Sequence, residues 1–255
     1  MFWTVRKNTL LAWGVIAILA VVCVCGFSTT QAPAAVMLNQ TPRKIPVYRV
    51  ETQEKKVALT FDAAWGADKT QQILDILAEN QVRATFFLVG FWVEENPELV
   101  KAIAQSGCDI GNHSQNHLKM STLSEGDIEK EIRSVNDAVE QLTGQKPKYF
   151  RAPFGDYNNR LVGAVENMEM IPIQWDVDSL DWKGLDATQI LGRVTKSVKG
   201  GSIVLCHNNS DHIVDALPLL IANLINQGYQ IVPLHELVYD APYYVDSNGE
   251  QHKQG

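Results

Sequence analysis

Short apolar runs alternate along this chain with longer segments whose apolar positions recur at helical spacing. Val57-Ala58-Leu59-Thr60-Phe61 ends in Asp62, the pattern of a buried parallel strand with a carboxylate at its C-terminal end. After a turn at 63–67, Asp68 and Gln71 predict a capped helix with Ile73, Leu74, Ile76 and Leu77 on its apolar face. The unit then recurs. Residues 84–89 read as a strand, Asn96 and Pro97 open a helix that Gly107 ends, and 109–112 reads as the next strand. Ser124 and Asp127 predict a capping box, followed by Ile128, Ile132, Val135, Val139 and Leu142 at helical period up to Gly144. Further strands are expected at 148–152, 171–177, 202–206 and 230–232, with helices around 159–168, 188–198 and 212–227. About seven β/α units predict an α/β fold: a parallel sheet with outer helices, closed or nearly closed into a barrel within a single domain. Its working residues belong at the C-terminal ends of the strands.

The two ends of the chain follow other patterns. Arg6 and Lys7 precede an uncharged apolar run at 10–27, roughly 18 residues and so near the lower limit for a spanning helix. The positive charges place the N-terminus in the cytoplasm and the remainder outside it. Residues 1–35 therefore read as a signal-anchor, the alternative being a signal peptide cleaved near Ala34. Residues 36–54 read as a linker and 241–255 as a C-terminal tail. A net charge of -7 argues against a nucleic-acid-binding surface. Cys108 and Cys206, outside the apolar run, read as two buried free thiols, a disulfide between them being the alternative.

The strand ends, taken in turn, carry Asp62, His113 with His117, Arg151, Asp178 with Asp181, and His207. His113 and His117, four residues apart, fall on one face of a helical turn and can grip one metal ion. Alone, such a pair is a weak signal that reads first as surface or structural histidines. In company the inventory fits hydrolysis of an amide or ester. A metal ion polarises the carbonyl, a carboxylate takes a proton from water, and a further histidine protonates the leaving amine. Asp178 reads as a brace for its turn.

Thr60-Phe61-Asp62, His113-Ser114-Gln115-Asn116-His117, Arg151-Ala152-Pro153-Phe154-Gly155, Asp178-Ser179-Leu180-Asp181-Trp182 and Leu205-Cys206-His207 resemble five ordered motifs of a known family. That family is the polysaccharide deacetylases, the NodB-homology enzymes of carbohydrate esterase family 4. The resemblance covers about residues 55–240 and implies a distorted (β/α)7 barrel. It implies metal-dependent removal of N-acetyl groups from a cell-wall polysaccharide, foremost peptidoglycan. Carried over by residue, Asp62 would be the general base, held by Arg151, and His207 the general acid, tuned by Asp181. His113 and His117 would bind a divalent metal ion, zinc before cobalt or nickel. The Phe154 amide would bind the oxyanion, and Trp182 and Leu205 would line the acetyl pocket. The expected partners are an N-acetylated glycan and, through the N-terminal segment, a membrane; the expected state is a monomer.

One position departs from the pattern. Most of the family has a second, metal-binding aspartate after the base, where this chain has Ala63. Asp68 and Asn112 are the nearby groups that could substitute. The form Asp62-Ala63-Ala64-Trp65-Gly66 resembles a sporulation-associated subgroup. Ala63 also raises two alternatives: a non-catalytic glycan-binding or wall-assembly protein, and a deacylase of small amides or esters.

Overall fold

The computed structural model describes residues 42–254. The segment read as an anchor or signal peptide lies outside them, and among the described residues no helix is long and apolar enough to cross a membrane. In chain order the strands are Arg49–Val50 (β1), Lys56–Ala63 (β2), Thr85–Leu88 (β3), Asp109–Asn112 (β4), Tyr149–Phe150 (β5), Ile171–Pro172 (β6), Val177–Asp178 (β7), Ile203–His207 (β8), Gln230–Ile231 (β9), Tyr243–Val245 (β10) and Glu250–Lys253 (β11). The helices are Thr70–Glu79 (α1), Gly90–Glu95 (α2), Pro97–Gln105 (α3), Glu125–Thr143 (α4), Asn159–Asn167 (α5), Ala187–Ser197 (α6) and Ile213–Asn226 (α7). Residues from Arg43 onward make one compact unit.

Strand β2 lies inside the sheet, between β3 and β8, because all but its first side chain are buried, which requires neighbours on both sides and cover on both faces. The main sheet is parallel in the order β6-β5-β4-β3-β2-β8-β7, with β9 pairing the start of β2. The register places Asp62 opposite Phe87 on one side and His207 on the other, and Asn112 opposite Phe150. Four strand ends are thereby level at one mouth. Beneath it, Phe61 and Phe86 stack with centroids 5.0 Å apart, and Leu217, Leu220 and Leu224 of α7 complete the same core.

The barrel does not close. Residues 171–177, expected as one strand, form β6 and β7 at opposite edges of the sheet. Pro172 has no N–H with which to extend a ladder, and edge strands of two residues each leave a curled half-barrel. A second sheet joins the expected linker and tail: β1 pairs parallel with β11, which pairs antiparallel with β10. Val47 and Val50 are fully buried there, so these ends of the domain contribute core.

Helix α4 follows the sequence reading: Ser124 Oγ accepts from the Asp127 N–H, and Gly144 ends the helix at φ +73°. Helix α1 does not, since it starts at Thr70 and its N-cap, Lys69, makes no side-chain cap bond. Asp68 is left exposed, outside the helix. Helix α2, with six residues, was not anticipated because it is too short to show a period. Cys108 and Cys206 are buried and free, as expected.

Candidate active site

The adjacent ends of β2 and β8 carry the two groups suited to proton transfer. Asp62 accepts a 2.7 Å hydrogen bond from Arg151 Nη1. Arg151 is fully buried; its Nη2 donates to the Gln174 carbonyl at 3.2 Å, and its guanidinium lies 4.0 Å above the Phe87 ring. Burial would raise the Asp62 pKa, but the charge of Arg151, with His113, His207 and the Arg151 hydrogen bond, outweighs it and holds the carboxyl below its ordinary range. Asp62 is therefore held as the carboxylate. His207 is clamped by buried Asp181, which accepts from its Nδ1 and its backbone N–H, both at 2.8 Å. Burial disfavours the imidazolium, but the hydrogen bond and charge of Asp181 prevail and raise the pKa. With Nδ1 committed, Nε2 is the nitrogen left to serve the cavity that His207 lines.

His113 and His117 come together in a loop after β4 rather than on a helical turn. The Asn112 side chain accepts the Ser114 N–H at 2.8 Å, Ser114 Oγ accepts the His117 N–H at 3.1 Å, and Ser114 and His117 take left-handed φ values of +68° and +52°. Buried Glu131 fastens the same loop through the backbone and side chain of Asn116. The imidazole centroids are nonetheless 5.0 Å apart. Nδ1 of His113 donates to the Arg151 carbonyl at 2.7 Å, leaving an Nε2 lone pair 3.5 Å from Asp62 Oδ2. Burial lowers the His113 pKa despite Asp62, and burial with the neighbouring His113 takes His117 down to about 4. Both rings are neutral, as metal ligands must be. His117 Nδ1 is buried with no hydrogen-bond partner, an orphan that a coordinated ion would explain.

The pair thus fits a divalent ion, but a catalytic zinc site typically has three protein ligands, and neither candidate substitute supplies the third. Asn112 spends its amide on the Ile132 carbonyl and Asn136, and its oxygen on Ser114. Asp68 is exposed and does not line the cavity. Ala63 packs its methyl, fully buried, into the main core.

Asp62, His113, His117, Asp181 and His207 share a cavity of about 610 Å³, lined also by Phe154, Trp182, Leu205 and Asp178. Leu205 is buried at its wall, whereas Phe154 and Trp182 are exposed at the rim. Asp178 braces its turn as expected, accepting the Leu180 N–H at 2.8 Å. The sequence reading missed Trp175, a cavity residue 5.6 Å from the Arg151 guanidinium. It also passed over the run from Asn208 to Asp211. That run's polarity immediately after His207 was a usable signal.

A mixed α/β half-barrel with Asp62 and His207 at adjacent strand ends and a histidine pair at its mouth defines a class, and residues 49–173 match the polysaccharide deacetylase family. The chain belongs to that family. It is 34% identical over 202 residues to a peptidoglycan-N-acetylglucosamine deacetylase of Bacillus cereus, a match covering 77% of this chain and 94% of the relative. It is 35% identical to the uncharacterized protein YlxY of Bacillus subtilis over 76% of this chain, but the match spans only 60% of YlxY. Among solved structures, a family 4 pseudoenzyme from Bacillus anthracis superposes with a TM-score of 0.74 at 36% identity, covering 76% of this chain and 69% of that one. A mutant of that pseudoenzyme described as having restored enzymatic activity is equally similar, with a TM-score of 0.74 at 38% identity over 76% of this chain and 71% of the mutant.

Proposed function

We propose that this protein hydrolyses N-acetyl groups of peptidoglycan, releasing acetate and a free sugar amine. The observation that carries the reading is the paired Asp62 and His207 at adjacent strand ends, one held ionised by Arg151 and the other favoured as imidazolium by Asp181. Asp62 takes a proton from the attacking water, and His207 gives one to the nitrogen as the amide C–N bond breaks. The Phe154 amide holds the oxyanion, while Trp182 and Leu205 seat the acetyl methyl. A divalent ion held by His113 and His117, zinc before cobalt or nickel, would polarise the acetyl carbonyl and acidify water. The reading places the protein outside the cytoplasm as a monomer, anchored by residues 1–35 or released after cleavage near Ala34. The Asp62-Ala63-Ala64-Trp65-Gly66 form supports a role in spore formation. The test is acetate release from peptidoglycan and N-acetylglucosamine oligomers, with Asp62→Asn as the blank. Release that the blank lacks is expected; equal release from both would overturn the assignment.

One observation favours a second reading. Residue 63 offers a buried methyl where the family has a metal ligand, and the B. anthracis relative is described as a pseudoenzyme. A glycan-binding wall protein would retain the groove without turnover, so binding with no acetate release under any metal would select it.

A further inference from the structure

We propose that Trp65 is a stacking platform for the sugar next to the reacting one, making the protein a reader of glycan strands rather than of single sugars. The inference rests on the glycan reading above. Trp65 is 63% exposed, a costly position for so large an aromatic, yet it is not loose. Its ring meets His117 edge-on with centroids 4.8 Å apart and leans on Phe91 at 6.0 Å. The next residue pins the loop: the Gly66 carbonyl accepts from Trp92 Nε1 at 2.8 Å and Asn208 Nδ2 at 3.0 Å. Gly66 has φ +71°, and a Cβ there would lie 2.3 Å from Asn209 Nδ2. The positive φ favours glycine at 66, and Trp65 is presented on a pinned loop as a preorganised face.

The placement separates Trp65 from the acetyl pocket. Phe154 flanks His117 by a contact of its own, with centroids 4.6 Å apart, while Trp182 follows Asp181, the clamp on His207. Trp65 therefore extends the cavity beside His117 and Phe91. The lining is mixed in character: it includes the aromatic side chains of Trp65, Trp175 and Trp182 and the polar groups of Asp178, Asn209 and Asp211. Pyranose rings have the matching chemistry, with apolar C–H faces and hydroxyl edges, whereas an apolar peptide would leave those polar groups unpaired.

The test is calorimetric binding of N-acetylglucosamine monomer, by competition, and tetramer to the full chain without added metal, comparing wild type with Trp65→Ala and Trp65→Tyr. Trp65→Ala should weaken tetramer binding roughly tenfold and leave the monomer unchanged, while Trp65→Tyr, which keeps a flat ring, retains most of the tetramer affinity. Unchanged tetramer binding by Trp65→Ala overturns the platform and leaves the glycan reading standing. So does an equal loss for monomer and tetramer, which would mean that Trp65 acts through His117. A wild type that binds neither sugar overturns both.

Discussion

On the β2–β8 side of the cavity the two groups suited to proton transfer each have a partner: Asp62 is held by Arg151 and His207 by Asp181. On the β4 side two neutral imidazoles lie together, while Ala63, next to Asp62, packs its methyl into the core and brings them no carboxylate. The difference follows from what each residue does for the fold. Asp62 and Arg151 are buried together, and removing either strands the other's charge. A ligand carboxylate at 63 would be an unpaired buried charge whenever its ion is absent, so alanine there relieves the fold of that charge. The half of the site tied to stability is fully partnered, and the other half, on the function proposed above, is short of a third ligand. Arg151 links the two, since its guanidinium holds Asp62 and its carbonyl orients His113.

The comparison can be broken most sharply at the base. Asp62→Asn should cut acetate release by ~10²–10⁴-fold, measured in the purified chain with zinc; near-normal release would remove Asp62 from the reaction. Arg151→Met should cost about 3–5 kcal/mol in denaturant unfolding, because it leaves the Asp62 carboxylate buried and unpaired. That loss should shrink as pH falls, since Asp62 contributes stability above its unfolded pKa and loses it on protonation. Ala63→Asp should strengthen zinc binding by at least about 10- to 100-fold while costing the zinc-free fold about 1–3 kcal/mol; calorimetry and melting with and without zinc read both. Smallest is Asp181→Asn. Because Asp181 outweighs burial in raising the His207 pKa, its loss should move the His207 NMR titration, and the alkaline limb of activity, to lower pH. An unmoved titration would dismiss Asp181 as the tuning group.

Much of this site was legible because its residues close short apolar runs, and parallel register then levels those ends: Asp62 beside His207, Arg151 one residue beyond the Asn112–Phe150 pair. The path of the His113–His117 loop was not legible, because it depends on Asn112 and Ser114 capping backbone N–H groups in a left-handed turn. Nor was the open edge between β6 and β7, which are too short to carry an alternation. The pairing of Arg49 with Glu250 joins residues far apart in sequence, and no local pattern announces it. Trp65 stood in a recognisable motif, but only the fold shows its face at the cavity.

The most direct measurement is acetate release from peptidoglycan by the full-length chain as free zinc is raised from chelated to saturating, alongside Ala63→Asp. The proposed function, with Asp62 and His207 fully partnered and only two histidines for the metal, predicts release that vanishes with chelator and saturates only at high zinc, with Ala63→Asp saturating at lower zinc. Release indifferent to zinc, or none at any concentration from folded protein that still binds the glycan, would contradict it.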